Sequence, residues 1–409
     1  MLRRRIINFR VVKESDNPTD NKEEKDILTT EMEEDIKAHR KKVRRRIMAV
    51  AFAITVAVVL VFLIIYLQTY TKVRISDTYS IGNAADNNYL EFAGGVLKYS
   101  RDGISYLNQK GEEIWNRPYQ FKTPFLSVNH KSAVVADKGG NDIIVFQRDG
   151  VKGEIHTALP IEKIAVSKQG IVGALLKNES NPRIICYDTM GNILVEHQAS
   201  LTGTGYPMDI SLSEDGELMQ VVYLAVENGE MISRVCYYNF GDAGKEKQNH
   251  QVMEKEYSGS IIASGFFINE SVSAVVGDNC LTLFDGKAVP EEQATISVEG
   301  EIQSVFHGDR YIGLVVKNEG VDGYELCLYN KYGRKVLSEN ISGTYKSAKI
   351  SGSQVILYDG KNCNIYMRTG IHRFEGEMDN NILEIFPVGG VNKYIVMNAN
   401  GMENVRLVK

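Results

Sequence analysis

The side chains best suited to metal binding, the histidines, are scattered through this chain of 409 residues. A zinc site needs ligands at short and regular spacing, as in the motifs HxH and HExxH. The seven histidines form neither motif and stand at His39, His130, His156, His197, His250, His307 and His372. The sequence therefore predicts no metal site.

Motifs for nucleophilic catalysis and phosphate binding do not occur in the sequence either. There is no GxSxG, the pattern that places a nucleophilic serine on a sharp turn. The stretch Gly203-Thr204-Gly205 lacks the third glycine and the following helix of a phosphate-binding loop. The paired acids Glu291-Glu292, and Asp215 with Glu217, are expected in turns as solvated surface groups. We therefore expect no enzyme, no cofactor and no catalytic residue, although residues that converge from distant parts of the chain escape such a search.

The five cysteines stand in similar surroundings, each within a short apolar run. Their odd number argues against a complete disulfide framework, and none forms a CxxC pair. The pattern favours small, buried free thiols in equivalent strands, with a single disulfide as the alternative. These cysteines are Cys186, Cys236, Cys280, Cys327 and Cys363.

An unbroken apolar run, Ile47 to Leu67, divides the chain into a short charged part and a long one. As a helix it would span roughly 32 Å, close to the ~30 Å hydrocarbon core of a bilayer. A cleaved signal peptide is the first alternative, but its apolar core is usually about 7–15 residues and ends at small residues. A buried soluble helix is the second, but it would need a polar face. We expect an uncleaved anchor in the lipid bilayer.

Positive charge lies before the apolar run. Basic residues next to a membrane segment stay on the cytoplasmic side. Only Lys72, Arg74 and Asp77 are charged soon after the run, whereas seven basic residues precede it: Lys37, Arg40, Lys41, Lys42, Arg44, Arg45 and Arg46. We therefore predict a single-pass protein of the cell membrane, with residues 1–46 cytoplasmic, 47–67 transmembrane and 68–409 extracytoplasmic.

The two parts of the chain have opposite net charge. Residues 1–46 carry 14 basic and 10 acidic residues, which leaves 47−14=33 basic and 52−10=42 acidic residues beyond them, a net charge of −9. This sign disfavours nucleic-acid binding, which needs concentrated lysine and arginine.

The cytoplasmic part mixes three kinds of sequence. Met1 to Lys13 combines arginines with apolar residues, so it either lies on an anionic inner leaflet or is a disordered start. Residues 14–28 are polar and predict a linker. Thr30-Glu31-Met32-Glu33 has the pattern of a capping box, so we expect a helix from about Thr30.

The extracytoplasmic part consists of short runs rich in Val, Ile, Tyr and Phe, punctuated by Gly, Asn and Asp, a pattern typical of strands. One unit repeats: a hairpin, a polar turn with glycine, then another strand. The turn glycines lie 37 to 50 residues apart, at Gly111, Gly150, Gly191, Gly241, Gly286, Gly333 and Gly370. Such a period with four strands per unit predicts a β-propeller.

Strand pairs at both ends of the repeats bring the count to eight hairpins. Val96–Tyr99 with Ile104–Leu107 opens the series, and Tyr394–Met397 with Val405–Val408 closes it. We therefore expect eight blades, with seven as an alternative and two β-sandwiches as a different architecture. The last unit is one strand short, so we expect the ring to close with an outer strand near Val73–Ile81.

Two stretches resemble known propeller repeats. LNQKGEEIW, residues 107–115, is similar to the repeats of quinoprotein-like propellers, whose tryptophans dock one blade on the next. DISLSEDG, residues 209–216, resembles the strand and turn of WD-like and TolB-like propellers. Trp115 is the only tryptophan, which removes any ground for quinone binding.

Taken as a whole, the chain is identified as a member of DUF5711, a family of single-pass membrane proteins from clostridial bacteria that carries no assigned function. The resemblance rests on the order of basic tail, anchor and acidic propeller, and it implies placement without any chemistry.

These observations favour a membrane-tethered module that binds or scaffolds an envelope protein or an envelope polymer. The first alternative is an envelope enzyme with its active site in the propeller channel. A channel lined by converging carboxylates or histidines would favour the enzyme, and an apolar plug would exclude it. The second alternative is a sensor that recruits a cytoplasmic partner through its tail.

Overall fold

The computed structural model describes residues 20–82, 84–320, 322–342, 345–390 and 392–409, and it describes side chains from residue 37 onward except that of residue 85. The Met1 to Lys13 segment lies outside the described residues. The chain divides into two compact units, Met1–Gln68 and Thr69–Lys409.

The first unit contains one long helix, α1 (Asp20–Tyr66). It already includes residues 20–28 of the stretch 14–28 that the sequence analysis assigned to a linker, and residues 14–19 lie outside the described residues. No proline or glycine interrupts the range of the helix. The part from Lys37 to Tyr66 is long and apolar enough to cross a membrane, so α1 contains a candidate span.

The second unit is an eight-bladed β-propeller in which every blade is a four-stranded antiparallel sheet. The innermost strands of blades 1 to 8 are β2 (Asn88–Phe92), β6 (Pro124–Asn129), β10 (Ile161–Val166), β14 (Tyr206–Leu212), β18 (Ile262–Phe267), β22 (Glu301–His307), β26 (Ser347–Ser351) and β30 (Glu384–Pro387). The second strands are β3 (Gly95–Tyr99), β7 (Ser132–Asp137), β11 (Val172–Leu176), β15 (Leu218–Glu227), β19 (Val272–Gly277), β23 (Tyr311–Lys317), β27 (Gln354–Asp359) and β31 (Lys393–Asn398).

The outer half of each blade follows the same order. The third strands are β4 (Gly103–Leu107), β8 (Asp142–Gln147), β12 (Arg183–Tyr187), β16 (Glu230–Asn239), β20 (Cys280–Asp285), β24 (Tyr324–Asn330), β28 (Asn362–Met367) and β32 (Gly401–Val408). The outermost strands are β5 (Glu113–Pro118), β9 (Gly150–His156), β13 (Ile193–Gln198), β17 (Gln251–Ser258), β21 (Glu291–Ser297), β25 (Lys335–Ile341), β29 (His372–Glu377) and, in blade 8, β1 (Lys72–Tyr79). Two short 3₁₀ turns occur at Ala84–Asp86 and Gln248–His250. The expectation of eight blades is confirmed.

The ring closes between the two ends of the propeller. Strand β1 pairs antiparallel with β32, from Lys72 opposite Val408 to Tyr79 opposite Met402. Just before β1, the backbone N–H of Tyr70 donates to the carbonyl of Arg373 in blade 7 at 2.9 Å. The segment after α1 therefore ties blade 7 to blade 8, and the expected closure near Val73–Ile81 is confirmed.

The core consists of eight apolar clusters, one between each pair of neighbouring blades. Successive side chains of a strand point to opposite faces of its sheet. In β7, Ala133 and Val135 therefore pack against blade 1, while Val134 and Ala136 pack against blade 3. Since both faces are buried, the inner strands read as continuous apolar runs instead of alternating ones.

The cysteines lie in the third strands of blades 3 to 7, and all five are buried free thiols. This confirms both their predicted state and their predicted placement in equivalent strands. Burial raises the pKa of the Cys186 thiol to about 12, so this thiol stays protonated at neutral pH.

Trp115 docks blade 1 on blade 2, as the resemblance to quinoprotein-like repeats implies. Its ring stacks on Phe146 with a centroid distance of 5.1 Å and an interplanar angle of 4°. Its indole N–H donates to the carbonyl of Arg148 at 2.9 Å. The paired acids Glu291 and Glu292, expected in a turn, lie in strand β21 instead, because Pro290 ends the preceding turn and the strand starts directly after it.

Candidate functional site: the channel mouth

The inner strands end around a cavity of about 550 Å³, which we call the channel mouth. Its walls come from the turns between the first and second strands of six blades. The polar side chains that line it include Glu91, Asn129, His130, Glu214, His307 and Asp309. A second cavity of about 370 Å³ is bounded by the inner strands of blades 2 to 6 and shares Asn129 and His307 with the first. The channel is therefore lined by polar groups at this end.

One ion pair crosses the channel mouth. Nε2 of His130, in the turn of blade 2, lies 3.1 Å from Oδ1 of Asp309 in the turn of blade 6. Blades 2 and 6 stand opposite each other in a ring of eight, so this contact bridges the ring. The same Nε2 lies 3.5 Å from Oε1 of Glu214 in blade 4. We call the contacts of His130 with Asp309 and Glu214 the latch.

His130 and Asp309 shift each other's pKa values. The hydrogen bond with Asp309 is the largest cause that raises the pKa of His130 above its ordinary value, and Glu214 adds to it, while burial and Lys168 oppose it. The same hydrogen bond lowers the pKa of Asp309. Glu214 also receives the ammonium of Lys168 at 3.3 Å. Each carboxylate of the latch therefore has a cationic or hydrogen-bonding partner.

A second charged cluster joins blades 1, 7 and 8 in the channel wall. The ammonium of Lys349 lies 3.0 Å from Oε2 of Glu91 and 2.5 Å from Oε1 of Glu384. The hydroxyl of Ser351 donates to both carboxylate oxygens of Glu91 at 2.9 and 2.8 Å. Burial alone would lower the pKa of Lys349, but the carboxylates of Glu384 and Glu91 raise it. Burial raises the pKa of Glu384, and Lys349 counteracts this. We call these four residues the wall cluster.

The pKa of His307 is shifted in the opposite direction to that of His130. Its ring lies flat on the ring of Phe266, with a centroid distance of 4.1 Å and an interplanar angle of 3°. The side chain is exposed to the channel, yet the protein surrounds that channel, and this burial lowers the pKa of His307 to about 4. The imidazole is therefore neutral at physiological pH and too weak a base for efficient proton abstraction.

The inner strands of blades 3 to 5 are also joined by a carboxylate. Asp209 accepts from the ammonium of Lys163 at 3.4 Å and from the backbone N–H of Gly265 at 3.1 Å. A Cβ at Gly265 would lie 2.3 Å from Oε1 of Gln220, so a larger residue here would displace the Gln220 side chain. The stretch that resembles WD-like repeats thus contributes an inter-blade link at Asp209.

The sequence profile of a family of unknown function, DUF5711, matches residues 66–407. The chain belongs to the DUF5711 family. No curated protein matches its sequence.

Among solved structures, BamB from Moraxella catarrhalis aligns with a TM-score of 0.50 and 11% identity, over 82% of this chain and 100% of its own. Hsv2 from Kluyvelomyces marxianus aligns with a TM-score of 0.38 and 12% identity, over 52% of this chain and 72% of its own. A eukaryotic initiation factor gives a TM-score of 0.45 and 10% identity, over 77% of this chain and 91% of its own. At such identities the similarity to BamB shows a shared fold and nothing of its activity.

The channel mouth of the DUF5711 protein holds its charges in fixed pairs. Glu91, Glu214 and Asp309 each accept from a neighbouring cation or hydroxyl. No group of histidines, cysteines and acids with metal-binding geometry occurs among the described residues. The arrangement is suited to holding blades together and to presenting a charged surface.

The sequence analysis assigned no role to the residues of the latch or the wall cluster. They are far apart in the chain, and no motif joins them. One signal was present: His130, Glu214 and Asp309 all follow the end of an innermost strand within two residues. An alignment of the repeats by these strand ends would have placed the three side chains at one end of the channel.

Proposed function

We propose that this DUF5711 protein is a membrane-anchored binding module whose propeller lies outside the cytoplasm and engages a partner of the cell envelope. The observation that carries the proposal is the latch, because it spans the channel mouth with side chains that are already paired. A ligand that met this end would encounter charged side chains that already pair with one another, which suits recognition by the propeller's outer faces.

The charge distribution around the apolar part of α1 supports the orientation. Seven basic residues between Lys37 and Arg46 precede the candidate span, and the residues that follow it carry few charges. Such an excess of positive charge favours a cytoplasmic N-terminus. With a single span, the propeller then lies outside the cytoplasm.

The pKa values favour binding over catalysis. A general base works best with a pKa near the operating pH. His307 is neutral but only weakly basic, because its pKa is about 4. His130 has a raised pKa, but its Nε2 is already engaged by two carboxylates. The pKa of His307 is thus unsuited to a general base, and Nε2 of His130 is already occupied.

A crosslinked pull-down from native membranes tests the proposal. Full-length protein is compared with a variant that lacks residues 1–36, which keeps the basic cluster and hence the orientation. A partner of the envelope recovered with both proteins supports the binding module. A cytoplasmic protein that is lost with the tail would favour a sensor, and the absence of any specific partner from both samples would contradict the proposal.

An envelope enzyme is the second candidate, and the convergence of carboxylates and imidazoles at the channel mouth favours it. Hydrolysis of envelope polysaccharides and peptides by the full-length protein tests this reading. Activity that His130→Gln and Glu214→Gln abolish, while the exposed control Lys346→Met leaves it intact, would establish the enzyme.

A further inference from the structure

One hairpin of the propeller is longer than its equivalents. Strands β15 and β16 in blade 4 each have 10 residues, whereas the second and third strands of other blades have between 5 and 8. Strand β14 pairs with β15 only as far as Leu224, and β17 pairs with β16 only as far as Ile232. The segment 225–231 therefore extends beyond both neighbouring strands. We call it the hairpin tip.

A tight turn closes the hairpin tip. Asn228 and Gly229 connect the strands with φ values of 53° and 88°. Both values lie in the left-handed region, as a two-residue type I′ turn requires, and the Asn-Gly pair is its preferred sequence. This geometry fixes the register, so that Val226 lies directly opposite Met231.

The hairpin tip exposes apolar side chains on the side that faces blade 5. Val226 is 71% exposed and Met231 is 55% exposed. Next to them, the hydroxyl of Ser233 accepts the N–H of Ile262 at 2.9 Å, which brings Ile261, 39% exposed, alongside the strands. A cross-strand pair of this size normally packs against something, because exposed apolar surface is costly in water. These three residues form an apolar patch.

The opposite side of the same hairpin is acidic. The guanidinium of Arg234 pairs with Glu227, lies 2.7 Å from Glu256 and lies 3.6 Å from Glu254. Glu230 adds another exposed carboxylate at the tip. Three carboxylates thus contact one guanidinium, and with Glu230 this side of the hairpin carries three more formal negative charges than positive ones. Beside the apolar patch, Asp278 accepts the N–H of Ile261 at 3.2 Å and adds a further carboxylate.

We infer that the hairpin tip is the docking surface for a segment of a partner protein that presents apolar side chains flanked by lysine or arginine. The inference rests on the proposed function and narrows its partner to a protein. An apolar segment would cover Val226, Met231 and Ile261, and flanking cations would meet the excess of carboxylates.

The negative charge of the hairpin tip disfavours two other partners, an anionic envelope polymer and a second copy of the protein. An anionic envelope polymer would meet carboxylates of the same sign, which costs binding free energy. A second copy of the propeller would bring a surface whose net charge is −9, because residues 68–409 carry 33 basic and 42 acidic residues. A protein segment that is both basic and apolar avoids this repulsion between like charges.

Binding of two matched peptides to the full-length protein in detergent tests the inference. One extended peptide alternates valine with lysine, and the other alternates valine with glutamate. We expect the lysine peptide to bind and the glutamate peptide not to bind. The variant Val226→Ser with Met231→Ser should weaken binding at least tenfold, whereas the control variant Met190→Ser with Ile193→Ser, which alters equally exposed apolar residues of blade 3, should leave it unchanged. Equal binding of both peptides, or equal loss in both variants, would overturn the inference.

A photo-crosslinking amino acid at position 231 in native membranes provides the second measurement. A crosslinked protein whose contact segment combines apolar and basic residues supports the inference, and a crosslink to a second copy or to an anionic polymer overturns it. If the pull-down recovers a partner that position 231 never captures, the hairpin tip is not its docking surface, while the proposed function still holds. If no partner is recovered at all, the proposed function itself fails.

Discussion

Nε2 of His130 in blade 2 lies 3.1 Å from Oδ1 of Asp309 in blade 6, across the mouth of the channel. Most contacts in a propeller join neighbouring blades, so a contact between opposite blades reports on the ring as a whole. Any change in blade spacing would lengthen or shorten this one distance, and the latch therefore couples the width of the channel mouth to the charge of one imidazole.

We predict that the latch stabilises the propeller most at mildly acidic pH. The pKa of His130 is raised above 6.5, so its stabilising effect is complete below that value and disappears as the pH rises through the raised pKa. The pKa of Asp309 is lowered below 3.8, so its effect persists down to about that pH. Thermal unfolding of His130→Gln against the natural protein should show the largest difference near about pH 5, no more than about 1 kcal/mol for such half-exposed groups.

The variant Asp309→Asn serves as the matched control for the latch. It should reproduce part of the pH profile of His130→Gln, since Glu214 still faces the imidazole, and the double variant should cost no more than His130→Gln alone, because that variant already removes the contact with Asp309. Additive losses would show that His130 and Asp309 stabilise the propeller independently, which contradicts the latch.

Removal of the ammonium from the wall cluster should destabilise the propeller strongly. Lys349→Met leaves Glu91 and Glu384 near each other, and the Glu384 side chain is only 6% exposed. Breaking a buried ion pair in this way costs about 3–5 kcal/mol. Urea unfolding at neutral pH measures the loss, and Lys346→Met, whose side chain is 84% exposed, should have little effect.

The same variant should recover stability as the pH falls. Burial already raises the pKa of Glu384, and without Lys349 that pKa would rise further. Protonation then removes the uncompensated charge, so the deficit of Lys349→Met should shrink when the pH drops through the raised pKa. A deficit that is constant with pH would show that lost packing, and not lost charge, causes it.

Trp115 should contribute both packing and a hydrogen bond to the contact between blades 1 and 2. Trp115→Ala removes the stacking on Phe146 and should cost about 3 kcal/mol. Trp115→Phe keeps an aromatic ring but loses the bond to the Arg148 carbonyl, at a cost of about 1 kcal/mol. Circular dichroism during urea unfolding measures both, and equal losses in the two variants would contradict a separate role for the hydrogen bond.

Leu407 should be critical for ring closure because it is fully buried in strand β32, opposite Val73 of β1. Leu407→Ala should cost about 2–5 kcal/mol, as a cavity in a core does. Hydrogen exchange should accelerate first in β1 and β32, whereas Val336→Ala, at a site 38% exposed, should change neither. Uniform acceleration across all blades would show that closure is not a separate step.

The repeat could be predicted from the sequence because each blade carries its own local pattern of strand and turn residues. Gly111 and Gly191 have φ values of 73° and 83°, which few other residues adopt, so they mark the turn before the outermost strand. The cysteines mark third strands because a small apolar side chain suits that buried position in several blades. The ring closure could be predicted by counting strands, since a four-stranded blade that lacks one strand must take that strand from elsewhere in the chain.

The channel mouth could not be read in the same way. His130 and Asp309 meet only because eight blades close into a ring of a particular width, and this width is a property of all the blade interfaces together. The length of the hairpin in blade 4 could not be predicted either, because the strand pattern in the sequence does not indicate where β14 and β17 stop pairing. Local sequence patterns thus determine the strands, whereas contacts across the ring depend on the number and spacing of the blades.

The pairing of β1 with β32 has a consequence for how the protein is made. Translation supplies β1 as the first strand of the propeller, and its partner β32 only after the thirty strands between them. Throughout the synthesis of those strands, β1 is therefore an unpaired edge strand beside a growing row of blades. The nascent propeller can pair wrongly at this edge until β32 is made and covers it.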